Sequence, residues 1–328
     1  MAPGGALVSK LKLLLRFSVL LGVCSLLLAG LAERERMQWR LDILQRKLSG
    51  GAPEWPWPLV LGAMIPGIQA GTDARRELRL LRGPVRLLRR DKSSPCPVLW
   101  ETPLGPMWAW EEDQTFLMWH TVRWSHLQTL FPEAPSIPRG GVVLEVGAWV
   151  GTFVREALNQ GASKVIALEP EPANFVCMQK NFESEIASGR VVLLKAAAWS
   201  HDGTEKFGHP ELDENGDKQY GGEGFQALPD GDVIVRTVRI DTLVNELGLD
   251  RLDVIEMDIE GTERHALQGA RATLARFSPQ ILVCEHHLPD DAEVVPREIH
   301  AANPAYVRYS KEGHGYYRLP TPKQGGGL

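Results

Sequence analysis

The 328-residue sequence is poor in cysteine and contains no C-x-x-C pair. Its four cysteines lie far apart in the chain, at Cys24, Cys96, Cys177 and Cys284. This spacing argues against a zinc ribbon and against a thioredoxin-type redox site, because both need paired cysteines. Cys177 falls in a predicted helix and Cys284 in a predicted core strand, so we expect buried, reduced thiols. Nothing in the pattern indicates an oxidising compartment.

The sequence also lacks the G-x-G-x-x-G turn of dinucleotide-binding proteins at the place where that turn is expected. An apolar run at residues 142–146 is typical of a strand buried on both faces, and the turn Gly147–Gly151 follows it. Trp149 stands where the dinucleotide turn requires its second glycine. This absence argues against a nicotinamide-dependent oxidoreductase, which remains the weakest alternative.

What is present is a β-α-β unit suited to a nucleoside. A helical pattern, Thr152–Asn159, follows the glycine turn, and a second apolar strand, Lys164–Leu168, ends on Glu169. Glycines let the backbone approach a ligand, and a carboxylate at the tip of the second strand can accept hydrogen bonds from two ribose hydroxyls. The unit therefore predicts a nucleoside site at the carboxyl edge of a parallel sheet.

Three separated motifs carry a family resemblance. The turn Glu145–Gly151 has the form E-x-G-x-x-x-G, a later strand ends in D-x-E-G at residues 258–261, and P-x-I-L-V-x-E-H occupies residues 279–286. In this order they resemble the FkbM family of class I S-adenosylmethionine-dependent methyltransferases. The resemblance covers roughly Gly141 to His287, nearly half of the chain, and says nothing specific about the substrate.

The resemblance implies an α/β, Rossmann-like class I methyltransferase fold. We expect a mostly parallel seven-stranded sheet with an antiparallel C-terminal hairpin, preceded by an N-terminal membrane anchor and a helical extension. The implied cofactor is S-adenosyl-L-methionine. The residues expected to bind it are Glu145, Gly147, Ala148, Gly151, Glu169, Pro170, Ala197 and Asp258.

Transfer of the methyl group to a hydroxyl needs a base at the carboxyl edge of the sheet. We favour His286 as this base, with Asp258 and Glu285 as further catalytic candidates. Glu260 is expected to cap the helix that begins near Thr262. We predict no metal site in Glu285-His286-His287, because adjacent residues on a strand point to opposite faces.

The predicted function is O-methylation of a hydroxyl on a sugar, a glycan, a lipid-linked saccharide or a secondary metabolite. This substrate range comes from the family resemblance alone. A second class stays open, in which the chain is a non-catalytic, membrane-tethered scaffold that keeps the methyltransferase-like fold. We expect no nucleic-acid partner, because the predicted catalytic region is acidic and would repel it. The sequence does not indicate an oligomeric state.

The N-terminal apolar run, Phe17–Ala32, is 16 residues long, slightly short of the ~20 that span a bilayer comfortably. Three alternatives remain open: a single-pass anchor, which we favour, a signal peptide cleaved near Gly30-Leu31-Ala32, and a helix lying in the membrane interface. Because S-adenosylmethionine is a cytosolic metabolite, we expect an anchored protein with its catalytic domain on the cytoplasmic side. A secreted protein is the alternative.

Charge is distributed unevenly: the first 92 residues carry 16 Lys/Arg and 7 Asp/Glu, and the remainder carry 20 and 34. The basic arm predicts contact with anionic lipid. Five regions are expected: an anchor or signal peptide at 1–32, a basic helical region and linker at 33–92, a tryptophan-rich cap at 93–139, the methyltransferase domain at 140–322, and a disordered tail at 323–328.

Several individual elements are also predicted. Residues 75–90 alternate arginine and leucine, which favours a helix, either on a membrane or packed on its own domain. A tryptophan-rich hairpin is expected at 97–110 and a helix at 111–130. Trp108, Trp110, Trp119 and Trp124 either line an acceptor pocket or belong to the core. Residues 201–232 are expected to form a substrate flap or a β-insert. A single helix is predicted at 262–276.

Overall fold

The computed structural model describes residues 85–110, 117, 120, 121, 135–209, 224–311 and 313–320. All of them lie in one compact unit that begins at Gly83. The predicted anchor at 1–32, the basic region up to residue 84 and the tail at 323–328 lie outside the described residues. Among the helices that are described, none combines the length and the apolar character needed to cross a bilayer.

The described residues form 14 strands. They are β1 (Arg86–Arg90), β2 (Val98–Thr102), β3 (Gly105–Ala109), β4 (Val142–Val146), β5 (Lys164–Leu168), β6 (Val191–Leu194), β7 (Ala197–Ala198), β8 (Gly203–Gly208), β9 (Gln226–Ala227), β10 (Val233–Val238), β11 (Val254–Met257), β12 (Gln280–Cys284), β13 (Val307–Lys311) and β14 (His314–Arg318). The helices with described bounds are α1 (Thr152–Asn159), α2 (Pro172–Asn181), α3 (Glu183–Ala187), α4 (Ile240–Glu246), α5 (Glu263–Gln268), α6 (Arg271–Phe277) and α7 (Asp291–Ala302).

The central sheet has seven strands in the order β13-β14-β12-β11-β4-β5-β6. The strands from β12 to β6 run parallel, and β14 pairs antiparallel with both β12 and β13. This is the predicted mostly parallel sheet with an antiparallel C-terminal hairpin. The chain leaves β4 towards β5 on one side and later returns to β11 on the other side. The topological switch point of the sheet, where ligands bind in such folds, therefore lies at β4 and β11.

The middle strands are apolar because both of their faces are covered. Every residue of β4 and of β11 is buried, as expected for parallel strands packed between helices. Glu145 in β4 and Glu256 in β11 are acidic, unlike the other residues of these strands, and they are direct partners across the two strands. Buried carboxylates side by side are costly, and their place at the switch point directs attention to the adjacent cleft.

Two smaller sheets accompany the central one. The predicted tryptophan-rich hairpin is confirmed as β2 and β3, which pair antiparallel. The prediction of a helix over residues 75–90 is wrong for its last five residues, because residues 86–90 form β1 and pair with β2. A four-stranded sheet has the order β7-β10-β8-β9. It makes the described part of residues 201–232 a β-insert, and residues 210–223 lie outside the described part.

The predicted helix at 262–276 is divided into α5 and α6. The carbonyl of Gly269 accepts a hydrogen bond from the Asp241 amide at 2.9 Å, and the Asp241 carboxylate accepts one from the Thr273 amide at 2.8 Å. The helical bond between Thr273 and Gly269 is thereby replaced on both sides. A side chain at position 269 would also lie 2.0 Å from the Trp199 carbonyl oxygen. Contacts from distant residues therefore end one helix and begin the next.

The prediction of reduced thiols is wrong for two cysteines, because Cys96 and Cys177 form a disulfide. Cys177 lies in α2, as predicted to be helical, and Cys96 lies just before β2. The bond joins the three-stranded sheet β1-β2-β3 to the helix that follows β5. It links positions 81 residues apart, so no local spacing signals it. Cys284 is buried in β12 as expected, and Cys24 lies outside the described residues.

Candidate functional site

A cleft opens at the carboxyl ends of β5, β4 and β11. Its space, counted with the solvent at its open mouth, is about 870 Å³. Glu169 lies at the β5 end of the cleft and Asp258 at the β11 end. Two strand spacings of about 4.8 Å separate these ends. The cleft is therefore long enough for a nucleoside with an attached group.

The glycine turn after β4 forms the middle of the cleft and has an unusual backbone. Gly147 and Gly151 both have a φ of 89°, and Trp149 has a φ of 47°, in the left-handed region that L residues disfavour. A side chain at position 147 would lie 2.2 Å from the Asp258 carbonyl oxygen. A side chain at position 151 would instead collide with Phe182 and Met178. The first glycine shapes the cleft, and the second allows core packing behind it.

Glu169 is held in place by backbone and side-chain donors. Its Oε2 accepts a hydrogen bond from the Trp149 amide at 2.6 Å, and its Oε1 accepts from the Glu171 amide at 2.9 Å and from Asn174 Nδ2 at 3.5 Å. Burial nevertheless raises the pKa of Glu169 to about 8. Oε1 already accepts from two donors, so the remaining acceptor site belongs to Oε2. A ribose placed here would find a fixed carboxyl group that faces the cleft.

Glu145 is a second acidic side chain in the wall of the cleft. Its Oε2 is buried and has no hydrogen-bond partner among the described residues. Burial, together with the neighbouring Glu256 and Glu169, raises the pKa of Glu145 well above its ordinary value. Unpartnered buried oxygens are uncommon in native proteins. Since Glu145 lines the cleft, a ligand with N–H or O–H donors fits this position.

The β11 end of the cleft carries ionised groups. His287 Nε2 lies 3.3 Å from Asp258 Oδ1 and 3.8 Å from Glu260 Oε2, and His287 Nδ1 lies 2.8 Å from Glu263 Oε1. Although burial opposes it, hydrogen bonds with Asp258 and Glu263 raise the pKa of His287 to about 11. The imidazolium is therefore a cation that holds three carboxylates in position, and it cannot act as a base at neutral pH.

Asp258 and Glu260 differ in basicity although they lie two residues apart. Burial raises the pKa of Glu260. For Asp258, burial is outweighed by the bond with His287, so the pKa of Asp258 is lowered. Glu260 also has a φ of 55°, and such strained backbone is often found at functional sites. Of the two, Glu260 is the better proton acceptor.

The predicted cofactor residues meet in one place, with one exception. Those that line the cleft are Glu145, Gly147, Ala148, Glu169, Pro170, Ala197 and Asp258. Gly151 supports the turn from behind. The structure does not bring the other catalytic candidates to the cleft. His286 is exposed, with its Nδ1 3.1 Å from the Gly313 carbonyl oxygen, and Glu285 is buried against Arg308 and Tyr317.

Several lining residues were not found by sequence reasoning. Phe207 and Phe225 come from the four-stranded sheet and its edge, and His120 comes from a helical segment of which the structure describes only Leu117, His120 and Thr121. Trp108 and Trp110, two of the tryptophans considered for an acceptor pocket, contact α2 instead through Lys180 and Asn174. Trp119 and Trp124 lie outside the described residues. No sequence pattern predicts that Phe207 and Phe225 line the cleft. Glu260 could have been predicted to line it, because it is the glutamate of the D-x-E-G motif.

Groups of metal-ligating side chains occur among the described residues. At the cleft, ligand atoms of Asp258, Cys284 and His287 lie within 4.8 Å of one another. The contacts of His287 with Asp258 and Glu263 already account for both of its ring nitrogens. We therefore assign no metal to this site.

The sheet order, the glycine turn and the acid after β5 define an α/β fold of the class I methyltransferase type. The methyltransferase FkbM domain matches residues 145–312, about half of the chain, and the chain belongs to this family. It is 26% identical over 148 residues to the 2-O-methyltransferase NoeI of Sinorhizobium fredii, covering 41% of this chain and 59% of the relative. It is 27% identical over 158 residues to the hexuronic acid methyltransferase AglP of Haloferax volcanii, covering 48% and 59%.

The chain thus spans about three-fifths of the length of the curated relatives that it matches. Among solved structures, it is similar to the methyltransferase FkbM from Methylobacillus flagellatus, with a TM-score of 0.41 and 16% identity over 64% of this chain and 56% of that chain. It is also similar to the 16S rRNA N2 G1207 methyltransferase RsmC of T. Thermophilus, with a TM-score of 0.35 and 12% identity over 74% and 52%.

Proposed function

We propose that this protein transfers the methyl group of S-adenosyl-L-methionine to a hydroxyl oxygen of a sugar. The observation that carries the proposal is the single cleft that joins Glu169, the glycine turn and Asp258 across three adjacent strand ends. The unpartnered Glu145 Oε2 and the backbone space kept open at Gly147 fit a ligand with polar donors held close to the turn. Two relatives support the acceptor class: one is named a 2-O-methyltransferase and the other a hexuronic acid methyltransferase.

In this proposal each end of the cleft has its own task. The carboxyl group of Glu169 accepts hydrogen bonds from the ribose hydroxyls and so fixes the direction of the donor. The sulfonium of the donor supplies an activated methyl group: the acceptor oxygen forms a bond to the methyl carbon while the carbon–sulfur bond breaks, and sulfur keeps the electron pair. Orientation of the two reactants supplies much of the rate enhancement.

The proton of the acceptor hydroxyl goes to Glu260 in this mechanism. Glu260 lines the β11 end of the cleft, and its raised pKa makes it a stronger base than Asp258. His287 is a positioning residue, because it contacts both carboxylates without lining the cleft. The variant Glu260→Gln is expected to lower kcat about a hundredfold and to leave the affinity for S-adenosylmethionine unchanged. A parallel loss of donor binding would remove Glu260 from this role.

Calorimetric titration of the full chain with S-adenosylmethionine, S-adenosylhomocysteine and NAD tests the cofactor. We expect both adenosyl ligands to bind and NAD not to bind. Glu169→Gln should weaken both about tenfold, because it replaces one carboxyl oxygen by an amide nitrogen and a hydrogen bond between neutral groups contributes roughly 0.5–1.5 kcal/mol. Glu183→Gln, an exposed glutamate in α3, is the matched control. If neither adenosyl ligand binds, the protein is a scaffold with a methyltransferase fold.

A further inference from the structure

We infer that the acceptor is an uncharged sugar and that a sugar carrying a carboxylate, such as a hexuronic acid, is rejected. This inference rests on the proposed methyl transfer. The ribose contact at Glu169 fixes which end of the cleft receives the acceptor. From the β5 end, the donor extends past the glycine turn towards β11, about two strand spacings away. The acceptor hydroxyl therefore meets Asp258 and Glu260.

The β11 end of the cleft, which receives the acceptor and is called the acceptor end, carries a negative charge. The contact with His287 keeps Asp258 ionised, and Glu260 and Glu263 add two more carboxyl groups around that single imidazolium. Among the cleft-lining residues that the structure describes, none is lysine or arginine, and His120 alone can take a positive charge. A carboxylate on the acceptor would face like charges, and the described lining offers it no arginine or lysine.

The same end offers suitable contacts for a neutral sugar. Carboxylate oxygens of Asp258 and Glu260 can accept hydrogen bonds from sugar hydroxyls. Phe207 and Phe225 line the cleft with their ring centroids 5.5 Å apart and are themselves buried, so they add apolar surface to its wall. Apolar surface with a few fixed polar groups is the usual composition of such sites.

The experiment compares matched sugars with the full chain and isotopically labelled S-adenosylmethionine. Methyl hexopyranosides of gluco, galacto and manno configuration are paired with the corresponding hexuronates, and with hexuronate methyl esters that restore neutrality at similar size. Transfer is followed by mass spectrometry of the sugar. We expect kcat/KM to be at least about tenfold higher for the neutral member of a pair, and the esters to behave like the neutral sugars.

Each outcome has a distinct meaning. Hexuronates that react as well as their neutral partners would overturn the inference and leave the methyl transfer intact. If S-adenosylmethionine binds but no sugar of any charge is methylated, the sugar acceptor itself is wrong. If S-adenosylmethionine does not bind, the proposed function fails before the acceptor is in question. If the neutral sugars are preferred, as we expect, Asp258→Asn should reduce the ratio of kcat/KM between a neutral sugar and its hexuronate.

A second inference comes from a different observation: the structure assigns this domain to an oxidising compartment. Both Cys96 and Cys177 are fully buried, and their sulfur atoms are bonded to each other. Structural disulfides persist where thiols are oxidised and are rare in the cytosol. In forming the bond, the two thiols lose two protons and two electrons to a disulfide-containing oxidoreductase, which becomes a dithiol. This replaces the expectation of a catalytic domain on the cytoplasmic side.

Cells that express the full chain provide the test. Differential alkylation followed by peptide mapping should find Cys96 and Cys177 protected until a reductant is added. Asp217→Thr creates the N-glycosylation site Asn215-Gly-Thr. Such a site is glycosylated only in the lumen of the secretory pathway, which is an oxidising compartment. We expect a mobility shift that a glycosidase removes, and none when Asn215→Gln is added. Either reduced cysteines or the absence of the glycan would overturn the assignment.

Discussion

The two ends of the cleft are built in opposite ways. The β5 end, which holds the cofactor in the proposed function and is called the cofactor end, comes mostly from one continuous stretch, residues 145–170, which turns at Gly147 and returns to Glu169, with Ala197 of β7 added beside it. The acceptor end is assembled from the end of β11, from the insert that carries Phe225, and from His120. One end is encoded locally, and the other depends on how distant parts of the chain meet.

The electrostatics of the two ends also differ. At the cofactor end, burial raises the pKa values of Glu145 and Glu169, so their carboxyl groups are held towards the neutral form. At the acceptor end, contact with His287 keeps Asp258 ionised. The difference teaches that a parallel sheet can present acids of two kinds at one edge: carboxyl groups that burial holds towards the neutral form, and a carboxylate that a neighbouring histidine keeps ionised.

The largest effect is expected at the cofactor end, from Gly147→Ala. The φ of 89° is unfavourable for alanine, and its side chain would lie 2.2 Å from the Asp258 carbonyl oxygen. We expect a loss of about 4 kcal/mol in the free energy of unfolding, together with loss of cofactor binding. Gly189→Ala is the matched control, because Gly189 has a φ of 75° with nothing within 4 Å of the added atom.

Urea denaturation measures both variants. The control should lose only about 1 kcal/mol, the cost of the left-handed backbone alone. If the two variants lose the same amount, the close approach of the turn to β11 contributes nothing, and the cofactor end is less tightly constrained than we describe.

At the acceptor end, the adjacent histidines allow a direct comparison. His287→Gln removes the cation that holds Asp258, Glu260 and Glu263, and we expect the free energy of unfolding at neutral pH to fall by about 2 kcal/mol. His286→Gln removes one hydrogen bond at an exposed position. It should change the free energy of unfolding by less than about 0.5 kcal/mol. Equal effects would show that the ion cluster does not stabilise the fold.

The smallest effect is a pH dependence that separates the two ends. Glu169 has an ordinary pKa of 4.5 and a folded-state pKa of about 8. Between these values the folded protein holds a proton that the unfolded chain has released, so stability is lost as pH rises towards 8. His287 has an ordinary pKa of 6.5 and a folded-state pKa of about 11, so its contribution to stability is lost above pH 6.5, as pH rises towards 11.

Thermal unfolding of the ligand-free protein from about pH 5 to about pH 6.5 measures this dependence, because in this range the raised pKa of Glu169 lowers stability and that of His287 does not. Glu169→Gln should flatten the decline in this window, whereas His287→Gln should not. A decline of the same steepness in Glu169→Gln would mean that another group titrates there.

The sequence predicted the parts of the fold that are written locally. The strand Val142–Val146, the helix Thr152–Asn159 and the acid Glu169 follow from apolar runs and turn residues within a short stretch. The break between α5 and α6 could not be predicted, because Asp241 comes from another helix and replaces a helical hydrogen bond. For the same reason, the pairing of β1 with β2 overrode the helical pattern of residues 86–90.

The candidate site shows the same limit. His286 and His287 are indistinguishable in the sequence, and the direction in which each side chain leaves the end of β12 decides that only His287 reaches the carboxylates. The motif D-x-E-G placed Glu260 near the site, but its strained backbone and its basicity depend on the folded surroundings. Phe225 and His120 carry no pattern that links them to the cleft.

The bond between Cys96 and Cys177 has a consequence for how the chain is made. It closes a covalent loop that contains the glycine turn, Glu169 and the start of α2. The loop cannot close during synthesis until Cys177 has left the ribosome, and by then the whole β4-α1-β5 unit has left it too. The disulfide therefore forms only after this unit has been synthesised. A single proteolytic cut between the two cysteines would leave both pieces joined, and the chain would separate on a gel only after reduction.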